Sequence, residues 1–228
     1  MREMLREILR DGQANRKIRG IIITGAEGNF SSGGDVSQML DLPTPQVARE
    51  RLVVLHDIIR LIMGGNKPVV AAVEGVAYGA GLSIAAACDH VIVSEISKFS
   101  AAFGRLGLVA DCGLFWTLPQ RVGLGRARDI LLTGAPFDAN EALDWGVADT
   151  LVGEGQALVA AQKKVEQYVP IGPLAIAATK SALVRRPNSL EDALAMEADL
   201  QDFLRNTQDH ADACEAFLNK KPMVFKGR

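Results

Sequence analysis

Apolar residues along this chain follow two patterns: short unbroken runs, and longer stretches in which they return every three or four positions. The runs IRGIIITG (18–25), KPVVAAVEG (67–75) and HVIVSE (90–95) lack polar alternation, which predicts strands buried on both faces. VADTLV (147–152) predicts a further short strand. Positions 2–10, with Met4, Leu5, Ile8 and Leu9 on one side, predict the end of an amphipathic helix. A long helix is expected over 46–63, with Val47, Leu52, Leu55, Ile58, Ile59 and Ile62 facing inward, after Pro43 and Pro45 interrupt the chain. Segments 82–89 and 125–134 predict two more helices, the first made of small residues that can pack closely, the second closed by Gly134. Segment 114–123 reads as a helical turn interrupted by Pro119, and 98–113 as a bent loop. Residues 138–146 predict a helix with Asp138 as N-cap and Gly146 as C-cap. AEGNFSSGGD (26–35) and VAYGAG (76–81) predict glycine-rich turns, so a strand–turn–helix unit recurs at 18–40 and 68–89. Strands alternating with helices imply an α/β architecture.

Near position 154 the chain turns helical and alanine-rich. Pro170 and Pro173 divide two helices there, and Asn188 and Ser189 cap another that runs to 206. Its apolar stripes exceed what a lone domain could cover. Residues 154–228 are therefore read as an oligomerisation region attached to a core of 1–153.

Composition narrows the function classes. The 228 residues are 48% hydrophobic and 23% charged, a globular balance. Against 25 Lys and Arg stand 27 Asp and Glu, a formal charge of −2, so nothing points to nucleic acid or an anionic membrane surface. No apolar run approaches the roughly 20 residues of a membrane span. The start, MREMLREILRDGQANRK, has no secretory apolar region. Cys88, Cys112 and Cys214 are odd in number and form no CxxC, which argues against a disulfide scaffold or a zinc site and for a reducing, cytoplasmic setting. His56, His90 and His210 share no metal-ligand spacing and are read as structural. No metal or redox cofactor is expected.

Candidate chemistry lies in two turns, Ser31-Ser32-Gly33-Gly34-Asp35 and Tyr78-Gly79-Ala80-Gly81, each between a buried strand and a helix. Such turns present free backbone N–H groups where an anion is favoured. Two of them converging on one oxygen make an oxyanion hole. The plainer reading is that the glycines only permit tight turns and close packing. Neither turn matches G-x-G-x-x-G or the P-loop, so a nucleotide-phosphate site is not expected.

ITGAEGNFSSGGDVSQM resembles the first oxyanion segment of the crotonase (enoyl-CoA hydratase/isomerase) superfamily, and KPVVAAVEGVAYGAGLSIAAACDHVIVSEISKFS resembles the second. GLVADCGLFWTLPQRVGLGRARDILLTGAPFDANEALDWGVADTLV resembles the family's next stretch, and AFLNKKPMVFKGR its C-terminal signature. The resemblance covers roughly residues 15–228, with the motifs in order and at the family's spacing. It implies a spiral of ββα units with a C-terminal helical region that builds trimers, often paired into hexamers. It implies an acyl-CoA thioester as substrate, CoA being part of that substrate, with the thioester oxygen held by the N–H groups of Gly34 and Ala80. Ser32, Gly33, Asp35 and Val36 would line the CoA path. Phe217 and Lys220 match positions that touch the CoA of a neighbouring subunit, although Lys220 also reads as a solvated lysine. Family members usually begin with a strand pair ahead of the first helix, whereas this sequence starts inside that helix; the chain is either naturally short or lacks residues at its start.

Two departures redirect the chemistry. The glutamates with which family hydratases add water would fall at Ser83 and Phe103, and neither side chain can replace a carboxylate unaided. One carboxylate remains in the right stretch, Asp111, whose neighbours Leu108, Val109, Ala110, Cys112 and Leu114 should desolvate it and raise its pKa. Its position resembles the catalytic aspartate of family isomerases, among them ring-1,2-epoxyphenylacetyl-CoA isomerase, and the nucleophilic aspartate of a dehalogenase. The competing reading makes Asp111 the N-cap of a helix starting at 112. Asp35, Glu74 and Asp89 read as structural carboxylates. Phe115 and Trp116 read as core aromatics or as walls of an acyl pocket. The expected reaction is acyl-CoA isomerisation through a thioester enolate, in fatty-acid or aromatic-acid breakdown, with Asp111 moving the proton. The alternatives are a hydratase, hydrolase or dehalogenase using Asp111, and a non-catalytic acyl-CoA-binding protein.

Overall fold

The computed structural model describes residues 1–40 and 44–228; Pro43, one of the two prolines expected to interrupt the chain, lies outside them. The chain opens with α1 (Arg2–Ala14) and β1 (Ile21–Thr24), followed by the short α2 (Ser37–Leu40) and the long α3 (Pro45–Met63). Thr44 caps α3, its hydroxyl accepting from the Val47 N–H, and Pro45 occupies the first turn, where its missing N–H costs nothing. Next come β2 (Val69–Val73), β3 (Val76–Tyr78), α4 (Ala80–Ala87), β4 (His90–Ser94), β5 (Lys98–Ser100) and a 3-10 turn over Ala102–Leu106. Then follow α5 (Leu114–Thr133), β6 (Phe137–Asp138), α6 (Ala139–Trp145) and β7 (Thr150–Val152). Helices α7 (Ala157–Glu166), α8 (Pro173–Arg185), α9 (Leu190–Arg205) and α10 (Gln208–Leu218) complete the described chain.

Four strands form an all-parallel sheet in the order β1-β2-β4-β7, with Ile21 opposite Val69, Val70 opposite His90 and Ile92 opposite Thr150. The architecture is the expected α/β one. Every residue of β2 is buried, as an unbroken Val/Ala run requires of a central parallel strand. β1 differs from expectation. It spans four residues and is only half buried, because among the described residues it forms the edge of the sheet, with a strand neighbour on one side only.

A second, smaller sheet has the order β3-β5-β6. β3 and β5 lie in segments expected to be a turn (76–81) and a bent loop (98–113), and β6 immediately precedes the expected helix of 138–146, sharing its cap residue Asp138. Two or three residues of strand give too short a pattern to recognise. Phe99 and Phe137 stack across this sheet at 5.3 Å, and Trp145 leans on Phe137 at 5.1 Å.

The core lies between the parallel sheet and helices α3, α4 and α5, and includes Ile58, Ile62, Val69, Val73, Leu82, Leu114 and Leu118. On the other sheet face Ala157 and Ala161 of α7 pack against Val70, Ala72 and Ile92. Some inward assignments fail. Met4 and Ile8 of α1 are exposed while Leu9 is buried, and Val47 and Leu52 on α3 are exposed. Helix α5 runs through Pro119 and kinks at Gly123, whose φ of 73° and ψ of 161° are not helical. The expected caps on α6 are present. Asp138 and Glu141 form a reciprocal capping box, and Gly146 ends the helix at φ 86°.

The tail is tied to the core through Lys180 on α8. Its buried ammonium donates to the Ile62 carbonyl at 2.9 Å and to the Asp89 carboxylate. The same Asp89 oxygen accepts from the Val69 N–H at 2.7 Å, so one carboxylate joins the start of β2, the end of α4 and α8. Glu74 accepts from the Ala157 N–H at 3.0 Å, satisfying the first turn of α7. Both carboxylates are structural, as expected.

Candidate active site

The site begins where two chain segments leave the parallel sheet side by side. After β1 the chain makes a turn, and Ser31 then pairs in parallel with Ala77 of β3. The Ser31 N–H donates to the Val76 carbonyl and the Tyr78 N–H to the Ser31 carbonyl, both at 2.9 Å. Each segment then enters its glycine turn, so the turns at 31–35 and 78–81 lie against each other. The contact admits no side chains. A methyl group at Gly33 would lie 2.9 Å from the Tyr78 carbonyl oxygen and 3.6 Å from the Ala80 nitrogen. One at Gly81 would lie 2.6 Å from the Ser31 carbonyl oxygen. Gly33 and Gly79 also adopt positive φ, 92° and 52°, which β-carbon-bearing residues reach only with strain.

Ala80 opens α4, so its N–H has no acceptor within the helix. Among the described residues neither the Ala80 nor the Gly34 N–H donates to a partner. Both turns therefore carry a free backbone donor at their contact. Around them, Ser32, Asp35 and Val36 are exposed. The Asp35 carboxylate accepts from the Ser37 N–H at 3.0 Å and the Ser37 hydroxyl at 2.6 Å, a local turn that leads into α2.

Ser83 and Phe103 stand near these donors. Ser83 is fully buried and its hydroxyl donates to the Gly79 carbonyl at 3.3 Å. The Phe103 ring would lie 3.9 Å from a methyl placed on Gly79. Neither supplies a proton-transferring carboxylate.

Asp111 precedes α5 in the loop after the 3-10 turn. It does not cap that helix. The N-cap is Gly113, and no side chain caps it. The carboxyl atom Oδ1 is buried and has no hydrogen-bond partner. Burial pushes the Asp111 pKa up; the neighbouring Cys112 thiol, the charge of His56 and the backbone N–H of Asp111 itself act against the rise without cancelling it. The desolvating neighbours are Ala110, Cys112 and Leu114, all buried, whereas Leu108 and Val109 turn outward. Phe115 and Trp116 are also exposed rather than core. Trp116 carries the Arg186 guanidinium over its ring at 4.9 Å.

Sequence reasoning named Cys112 only as a desolvating neighbour of Asp111; its thiol also bears on the ionisation of the carboxyl. A thiol beside a carboxylate was visible as a dipeptide, but nothing in the pattern shows which way it points. Phe217 is 85% exposed at the end of α10, with Lys220 beyond it. Among the described residues no hydrogen bond or ion pair joins either to the two turns or to Asp111.

The described residues offer two free backbone N–H donors on adjoining turns and, on the loop before α5, a carboxyl of raised pKa. Comparison with known proteins places the arrangement. The family model described as enoyl-CoA hydratase/isomerase matches residues 1–228. This chain belongs to the enoyl-CoA hydratase/isomerase family. It is similar to the 1,2-epoxyphenylacetyl-CoA isomerase of Escherichia coli, at 31% identity over 232 residues covering all of this chain and 88% of that protein. It is also similar to the short-chain-enoyl-CoA hydratase of Clostridium acetobutylicum, at 31% identity over 215 residues, 93% of this chain and 82% of that protein. Among solved structures, an enoyl-CoA hydratase from a Polaromonas species matches with a TM-score of 0.92 at 29% identity, covering 99% of this chain and 89% of that one. The α/β fold is thus the crotonase-like fold expected from the motifs.

Proposed function

We propose that this family member is an acyl-CoA isomerase that moves a double bond, or isomerises a ring epoxide, through an oxyanion-stabilised thioester enolate. In this reading the thioester oxygen accepts from the Gly34 and Ala80 N–H groups, with each donor contributing about 10²–10³ in rate. Asp111 removes a proton from carbon conjugated to the thioester and returns it to another carbon, contributing about 10²–10⁴. CoA would run past Ser32, Gly33, Asp35 and Val36. Phe217 and Lys220 would meet the CoA bound to a neighbouring subunit of a homotrimer or hexamer.

The observation that carries this reading is the buried, unpartnered Oδ1 of Asp111. A buried carboxyl oxygen without a donor is costly and is retained where function needs it. A single carboxylate suffices for a proton shuttle, which takes and gives back at one group. Addition of water normally calls on a second, and the two positions that resemble the hydratase glutamates hold Ser83 and Phe103. A hydratase reading is favoured instead by the similar relatives that bear that name.

Mass analysis separates the two. The enzyme incubated with 3-enoyl-CoA and 2-enoyl-CoA thioesters should yield products of unchanged mass with a migrated double bond. Accumulation of products heavier by one water would overturn the isomerase assignment.

A further inference from the structure

Helix α4 reads Ala-Gly-Leu-Ser-Ile-Ala-Ala-Ala, and Ser83 is its one polar side chain. It is completely buried, where a hydroxyl is costly unless it is bonded. Alanine, which fills Ala85, Ala86 and Ala87 of the same helix, would carry no such cost. The Ser83 hydroxyl donates to the Gly79 carbonyl at 3.3 Å, and the Ser83 N–H donates to the same oxygen at 3.1 Å. Serine inside a helix often bonds the carbonyl four residues back. What sets this bond apart is the peptide it reaches. The Gly79 carbonyl and the Ala80 N–H are the two ends of one planar unit. Among the described residues the N–H end donates to nothing, so the orientation of the unit rests on its carbonyl end. Gly79, at φ 52° and ψ −120°, has no side chain with which to hold it.

We propose that Ser83 is a positioning residue for the oxyanion donor: its hydroxyl clamps the Gly79–Ala80 peptide through the carbonyl, and so aims and polarises the Ala80 N–H. The proposal rests on the reading of that N–H as a donor to the thioester oxygen. A hydrogen bond to a carbonyl draws electron density from the amide nitrogen across the peptide plane, which makes the N–H a stronger donor. The effect is larger where water is excluded, as it is around Ser83. The hydroxyl acts through the peptide and exchanges no proton with substrate.

The test is the infrared carbonyl band of a saturated acyl-CoA, isotope-labelled at the thioester carbonyl, bound to wild type, Ser83→Ala and Ser97→Ala. Ser97 is also buried, and its hydroxyl donates to the Val73 carbonyl at 3.0 Å, outside both turns, so it controls for the loss of a buried hydroxyl. Wild type should lower the band relative to the free thioester. Ser83→Ala should give back part of that lowering, and Ser97→Ala none. On the enoyl-CoA thioester that turns over, kcat of Ser83→Ala should fall about five- to tenfold, the size of one hydrogen bond. That is well short of the about 10²–10³ expected for a missing donor. KM should change little, and the acid limb should stay in place because Asp111 is untouched. A Ser83→Ala enzyme with the wild-type band and kcat, or a change of equal size in Ser97→Ala, would overturn the proposal. A wild type that binds no acyl-CoA, or leaves its band where the free thioester has it, would instead overturn the oxyanion reading itself, which keeps the two failures apart. Should Ser83→Ala not fold, Ser83→Cys decides. Its thiol is a weaker donor, so band and kcat should both move in the direction expected of alanine, and wild-type values of both would overturn the proposal.

Discussion

Gly33 and Gly28 form a natural pair for asking whether the contact between the two glycine turns matters to catalysis or only to folding. Both have positive φ, 92° and 73°, so alanine at either is strained by its backbone alone. Such strain costs about 1–3 kcal/mol. At about 2–4 °C per kcal/mol for a chain of this size, each variant should lose roughly 2–12 °C in Tm. The surroundings then separate them. A methyl at Gly28 meets nothing within 4 Å, whereas one at Gly33 lies 2.9 Å from the Tyr78 oxygen and 3.6 Å from the Ala80 nitrogen. The Tyr78 oxygen is backbone and can retreat only by moving the 78–81 turn, which carries the Ala80 donor. Gly28→Ala should keep its activity per folded molecule. Gly33→Ala should lose the equivalent of one oxyanion donor, about 10²–10³ in kcat. The assay is kcat and KM on an acyl-CoA substrate, with folded fraction fixed by circular dichroism at a temperature below both transitions. Equal activity in the two variants, whether high or low, would refute the assignment of the turn contact to the site.

Lys180→Met breaks the tie between α8 and the core and should cost about 3 kcal/mol, the low end for a buried pair, because the Asp89 carboxylate is 27% exposed; chemical denaturation measures this. The pH dependence of kcat/KM should show an acid limb above the ordinary carboxylate range, since burial raises the Asp111 pKa and only the ionised form accepts a proton. The same shift acts on stability with a definite sign. Ionising Asp111 is harder in the folded chain, so wild-type stability falls as pH rises from the ordinary range through the raised value, and Asp111→Asn should melt higher than wild type at neutral pH but not in strong acid. Asp138→Ala removes half of the α6 capping box and should cost about 1 kcal/mol without altering turnover at temperatures where the protein is folded.

How far the sequence could be read depended on the length of each pattern. Val69–Val73 and His90–Ser94 are long enough to show as buried strands, and Asp138 and Gly146 mark both ends of α6 with side-chain chemistry. The three residues of β3 are too few for a period, although that strand brings the two glycine turns together. The turns themselves were legible because a free N–H at a helix start needs no distant partner to recognise. The fate of Asp111 was not. Its cap reading and its acid–base reading share the same residues, and only the positive φ of Cys112 and Gly113 moves α5 out of reach of its side chain. Lys180 was invisible for a related reason. Lysine on a helix reads as a solvated face unless its carboxylate, 91 positions away, is known to lie beside it.

The most direct test of the central claim is deuterium incorporation from deuterated water into an enoyl-CoA thioester, with wild type and Asp111→Asn side by side. The account predicts deuterium at the carbons bordering the migrating double bond in wild type, and loss of that exchange by about 10²-fold or more in the mutant. Exchange at wild-type rate in Asp111→Asn would contradict it.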